Sequence, residues 1–281
     1  MPIQWMLVLY SLFMGLAIGP FALIAITDAC EKRPGLCKWA AITGLVSIAL
    51  AGLFAFLHLE QPLAAVYVFA NLASPISQET VFVLLTGVVA ALLTGSDLFN
   101  LAAGLRKPLA WLGLVLAVIS VFFIAEIYRL PARPAWNNLL LPVTMLLSSL
   151  LNGLLLALTL LAVVPKTAGE SERTDPVTRL SGWALPVLVV YAVITAIFFL
   201  IAAAQGGGMG RLLTGDLAVW FWLGLVVIGL VLPGFLVWSA RKTGVMGLNA
   251  VLAFVMVVAG GLVVRAMLFP LGLRVPIESL W

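Results

Sequence analysis

The chain of 281 residues is poor in the side chains that hold redox centres: it has one histidine and two cysteines. His58 is alone, so a b-type haem held by two histidines is excluded. Cys30 and Cys37 are too few to hold an iron–sulfur cluster, which takes four thiolates, and with no histidine beside them they make a poor zinc site. Charge is scarce too, at 9% of residues. Soluble domains carry about 25%, and no polar stretch is long enough to fold as a separate domain, so a soluble protein is excluded. The N-terminus, Met1-Pro2-Ile3-Gln4, has no basic region, and no small-residue cleavage site follows at a suitable distance. The first apolar stretch is therefore expected to be a retained helix rather than a cleaved signal peptide.

What the chain does have is apolar length: 64% hydrophobic residues and a mean hydropathy of +1.21. A spanning helix needs about 20 predominantly apolar residues. Eight segments qualify: Trp5–Thr27, Trp39–His58, Gln78–Thr94, Leu109–Tyr128, Leu139–Val164, Trp183–Ala203, Ala218–Ala240 and Met246–Leu268. Trp5, Trp39, Trp111, Trp183, Trp220, Trp222 and Trp238 fall near segment ends, where tryptophan favours the headgroup level. The expected fold is an all-α integral membrane protein of eight helices, arranged as two four-helix bundles. The polar loop Lys166–Ser181 follows the fifth segment and reads as a connection between sets of spans. Gly15 and Gly19 form a small-xxx-small pair suited to close helix packing.

The net charge of +4 suggests no nucleic acid partner, because the cations are scattered through short loops. They instead set orientation. Lys32, Arg33, Lys38, Arg106, Lys107, Lys166, Arg173, Arg179, Arg241 and Lys242 fall on one side; Arg129, Arg133, Arg211 and Arg274 fall on the other. The positive-inside rule then places both termini outside the cytoplasm. Cys30 and Cys37 share the first basic loop and read as free thiols in the cytoplasm. A disulfide there would require an oxidising compartment.

Ionisable side chains at membrane depth are costly and are functional candidates. Here they gather toward the non-cytoplasmic side: His58 closes the second segment, Glu79 opens the third, Glu126 and Arg129 flank Tyr128 at the end of the fourth, and Arg265 lies in the last turns of the eighth. Each has a plainer reading. His58 can reach interfacial water. Glu79 can complement a helix N-terminus capped by Ser77. Glu126 can pair with Arg129, and Arg265 can snorkel to the headgroups. Their convergence on one face favours a one-sided pocket opening to lipid. The apolar piece Leu63–Phe69, between Pro62 and Pro75, is too short to span and reads as an interfacial or re-entrant helix at its mouth.

Three stretches carry a family likeness. They are Leu57-His58-Leu59 through Pro62 to Ser77-Gln78-Glu79; Ile127-Tyr128 through Pro134-Ala135-Trp136-Asn137 to Pro142; and Ala259-Gly260-Gly261-Leu262-Val263-Val264-Arg265. In order and in span position they resemble the membrane-anchor subunit of the dimethyl sulfoxide reductase family of molybdenum enzymes, a relative of the polysulfide reductase anchor subunits. Two departures stand out: Glu60 where the family often has glycine, and Gly261 where it often has glutamate.

The resemblance implies a multi-pass subunit of the bacterial cytoplasmic membrane in anaerobic respiration. It implies that menaquinol or ubiquinol is oxidised and that electrons pass to an iron–sulfur subunit, then to a molybdopterin subunit. His58 and Glu79 are then the proton-handling pair. Tyr128, Asn137 and Arg265 complete the quinone-binding set, with Arg265 stabilising negative charge on the bound quinol. A related anchor could run the reaction toward quinone reduction. The competing classes are a purely structural anchor and a small-molecule transporter. Transporters usually show inverted repeats and helices broken at the midplane, and neither is visible in the sequence.

Overall fold

The computed structural model describes residues 3–27, 33–99, 103–165, 175–205, 208–243 and 247–272. Of the sequence expectations, those on Cys30, Lys32, Lys166, Arg173 and Arg274 lie outside these residues. Among the described residues, eight helices are long and apolar enough to cross a membrane: α1 (Trp5–Ile26), α2 (Pro34–His58), α3 (Pro75–Ser96), α4 (Arg106–Ile127), α5 (Leu140–Val163), α6 (Leu180–Gln205), α7 (Trp220–Lys242) and α8 (Gly247–Leu271). In hydrocarbon a backbone must satisfy its own polar groups, and a helix does so within one segment. Pro34 and Pro75 start α2 and α3 at the position where a missing N–H costs nothing. The helix containing α6 reaches back to Asp175, so residues 175–181, read as loop, are helical.

Prolines also mark the irregular turns. α1 is interrupted only at Ala17, and Pro20 has no N–H to offer the Leu16 carbonyl. Ala17 keeps helical dihedrals, so the break is slight. In α7 the stretch Trp220–Val231 is a π-helix that reverts to α-helix at Leu232, just before Pro233. There the Leu232 N–H reaches back five residues to Val227.

α1 to α4 pack in a ring, and α5 to α8 pack in a second ring of the same cyclic order. The two groups meet along α1 and α5, so the change of group comes at residues 128–139 rather than at the polar loop 166–181. α1 and α5 are the most enclosed spans, with 83% and 61% of their apolar windows buried. Their crossing is set by small residues. A Cβ on Gly15 would stand 2.3 Å from Ser149 Oγ, and one on Gly19 would stand 2.1 Å from the Gly153 carbonyl oxygen. Both pairs are four residues apart, as expected for parallel helices sharing a small-residue seam.

All seven tryptophans assigned to span ends are exposed, as a headgroup belt requires. The piece between α2 and α3 forms a 3-10 helix, Pro62–Ala70, that leaves Leu63, Val66, Tyr67 and Phe69 exposed. The free-thiol expectation is corrected for Cys37, which is buried and disulfide-bonded. A stable disulfide belongs to an oxidising compartment, whereas the basic residues of the same loop argue for the cytoplasm.

Candidate functional site

The site forms at the end of the molecule where α1, α3, α5 and α7 begin. Glu79 sits one turn into α3 and is 8% exposed. Such a carboxylate needs a donor. Tyr10, a turn and a half into α1, supplies it: its hydroxyl donates to Glu79 Oε1 at 2.6 Å. Hydrogen bonds to ionised groups are short and roughly twice as strong as neutral ones. Ser77 does not cap α3, contrary to the sequence reading; Ser74 takes the N-cap position without a side-chain bond. Ser77 instead donates to the Val68 carbonyl and ties the 3-10 helix to the first turn of α3.

Tyr128 follows the last turn of α4 and lies within electrostatic reach of both Glu79 and Arg265. Trp136 and Phe269 meet its ring edge-on, at 5.6 and 6.2 Å. The loop that carries Trp136 is fastened to the end of α8. Trp136 Nε1 donates to the Leu268 carbonyl at 2.7 Å, Arg133 donates to the Gly272 carbonyl at 2.8 Å, and the Arg133 guanidinium lies 4.2 Å above the Trp136 ring. The second sequence stretch is thus fastened to the end of the helix that carries the third.

Arg265 does not snorkel. It is 1% exposed and donates to Ser148 Oγ at 3.0 Å, Ser149 Oγ at 3.2 Å and the Gly261 carbonyl at 3.1 Å. Glu126 and Arg129 pair with each other at 2.8 Å, which is their plainer reading. His58 ends α2 and is exposed; Asn137 is exposed on the fastened loop. Beyond His58, Gln61, Pro62, Leu63 and Tyr67 line an open hollow of about 470 Å³.

The structure therefore brings Tyr128 within electrostatic reach of Glu79 and of Arg265, and it leaves His58 and Asn137 at the surface of the same end. Sequence reasoning missed Tyr10, Ser148 and Ser149. Tyr10 had a signal: a tyrosine within an apolar run, at the same depth from that end as Glu79. Ser148-Ser149 resembled ordinary helix-packing residues.

An all-helical, eight-span protein with a buried carboxylate and a buried guanidinium near one end is the class that this geometry defines. The family described as "Polysulphide reductase, NrfD" matches residues 1–276, and the chain belongs to it. It is also similar to "Protein NrfD" of Escherichia coli (strain K12), with 29% identity over 153 residues, covering 52% of this chain and 47% of that protein. The match thus spans about half of that relative's length.

Proposed function

We propose that the chain is the membrane anchor of a respiratory redox complex, and that it oxidises menaquinol or ubiquinol at the Glu79 end. The carrying observation is the Glu79 carboxylate, buried one turn inside the membrane and held by Tyr10. At that depth it meets the head of a lipid-borne carrier rather than bulk water. Family membership supports the reading.

Quinol oxidation releases two electrons and two protons. Glu79 is the base for one proton. His58, at the exposed end of α2, takes the other at the rim. Tyr128 and Asn137 hydrogen-bond the head. Arg265 is enclosed, so it acts across Tyr128 by favouring negative charge on the bound quinol. The hollow beside Gln61 and Tyr67 is the entrance. The electrons leave to an iron–sulfur partner docked at this end, and from there to a molybdopterin subunit. With the termini outside the cytoplasm of a bacterial inner membrane, this is the non-cytoplasmic face.

His58→Ala is expected to slow quinol-driven turnover by about 10-fold or more, with assembly of the complex unchanged on a native gel; normal turnover would remove His58 from the mechanism. Tyr10→Phe takes the donor from Glu79 and is expected to weaken quinol oxidation, read as a lower rate at saturating quinol. Substrate flux in vesicles that lack every redox partner would favour a transporter instead. Failure of a quinone-site inhibitor to bind the purified complex would favour a structural anchor.

A further inference from the structure

Tyr128 and Asn137, the two side chains read as hydrogen-bonding the quinol head, stand at opposite ends of the loop between α4 and α5. Neither belongs to a helix, so neither inherits its place from a span. Trp136 adjoins both. Its ring meets the Tyr128 ring edge-on at 5.6 Å, with the planes at 78°, and Asn137 is its neighbour in the chain. Backbone bonds stiffen this stretch. The Trp136 N–H donates to the Arg133 carbonyl at 2.9 Å, the Asn137 N–H donates to the same carbonyl at 3.0 Å, and the Asn138 N–H donates to the Trp136 carbonyl at 2.8 Å. Where Trp136 goes, Asn137 follows.

Trp136 is itself held from several directions, and it is buried. An indole has one donor, and here it goes to the Leu268 carbonyl at 2.7 Å, in the last turn of α8. The Arg133 guanidinium lies over the ring. Gly272 closes on its edge: a Cβ there would stand 2.4 Å from Trp136 Nε1 and 2.6 Å from Cζ2. Phe269 meets the indole edge-on at 6.0 Å and Tyr128 at 6.2 Å, so the three rings form a closed triangle. Buried aromatic rings favour such edge-to-face contacts. Phe269 is fixed by α8, and Trp136 is fixed by its bond to α8. Tyr128 takes its place from these two.

Fastening the loop to α8 does not by itself call for an indole. Arg133 already does so through the Gly272 carbonyl at 2.8 Å, where a cation also complements the negative end of the α8 dipole. What the indole adds is a rigid wall against Tyr128.

We propose that Trp136 is a positioning residue of the quinol site: its bond to Leu268 fixes the indole, and the indole sets where the Tyr128 hydroxyl and the Asn137 amide stand. This inference rests on the quinol reading above and gives Trp136 no contact with the quinol. Groups that bind a ligand head act well only when a supporting shell locks their geometry, and Trp136 supports two of them at once, one through its ring and one through the chain.

The test is steady-state quinol oxidation by the purified complex. Trp136→Phe is made in the wild type and again in a Tyr128→Phe/Asn137→Ala background. Phenylalanine keeps a ring but has no N–H, so the bond to Leu268 is lost. In the wild type the KM for quinol should rise about 10-fold, the weakening of two hydrogen bonds to a ligand. The kcat should change by less than about 2-fold, since Glu79 is untouched and only binding is weakened. In the background that lacks both groups there is nothing left to misplace, and the same substitution should change KM by less than about 2-fold. Such non-additivity marks residues that act through one another; a mere loop fastener would have the same effect in both backgrounds. Should Trp136→Phe fail to fold, Gly272→Ala decides, because its methyl presses on the indole from the end of α8 and leaves the loop sequence intact. The same pattern is expected of it. An unchanged KM in the wild-type background, or an equal rise in both backgrounds, overturns this inference alone. A wild-type complex that oxidises no quinol overturns the quinol reading, and this inference with it.

Discussion

Glu79→Gln should lower quinol-driven electron transfer by about 100-fold or more, the usual loss when a positioned proton acceptor is removed. Glutamine is close to glutamate in shape, and its carbonyl can still accept the Tyr10 hydroxyl, which donates at 2.6 Å in the structure. The contact between α1 and α3 is therefore kept, and only the ability to take a proton is lost. Assembly should be normal. Electrons supplied by a soluble donor that bypasses the membrane chain should still reach the terminal centre. The measurement compares the two routes in the same purified complex. Loss of both routes would mean a structural defect, and an unchanged quinol-driven rate would remove Glu79 from the site.

Gly19→Leu should abolish the folded protein. The position above the Gly19 Cα lies 2.1 Å from the Gly153 carbonyl oxygen and 2.7 Å from the Gly153 Cα. Both are backbone, so no side-chain rotation relieves the clash, and α1 must separate from α5. Overpacking a core costs about 1–3 kcal/mol when neighbours yield, and here they cannot. α1 is also the most buried span, so its displacement disturbs both helix rings. Gly52→Leu is the control, because a Cβ there meets nothing within 4 Å. Gel filtration of the two proteins in mild detergent should give a monodisperse peak only for the control. A monodisperse, heat-stable Gly19→Leu protein would contradict the packing described.

Span number and placement were legible because hydropathy and the tryptophan belt report the same boundaries by independent physics. The seam at Gly15 and Gly19 was legible for a similar reason, since small residues four apart have one common use in lipid. The grouping of spans was not. The longest polar loop follows the fifth span, but packing divides the chain after the fourth, and loop polarity says nothing about which helix faces which. The helical extension from Asp175 that leads into α6 was hidden because it is polar and carries no hydropathy signal.

At the site, Glu79 and Arg265 were legible because a charge in an apolar run is conspicuous. Their partners were not. Tyr10 is 69 positions from Glu79, and Ser148 is 117 positions from Arg265; such pairings come from helix packing and leave no local pattern. Ser77 was read as a cap by its place near the start of α3, yet its hydroxyl found the Val68 carbonyl instead. Asn152 and Tyr191 lie on different helices, and only the packing of α5, α6 and α8 brings both near the Arg265 guanidinium.

The most direct test of the quinol site is a short-tailed, photoreactive quinone analogue activated in membranes that contain the intact complex, followed by peptide mapping. Labelling of the segment from His58 to Glu79 and of the α1 segment around Tyr10, suppressed by excess menaquinol, is the predicted result. Labelling confined to other spans, or labelling at this end that excess menaquinol leaves untouched, would contradict the account.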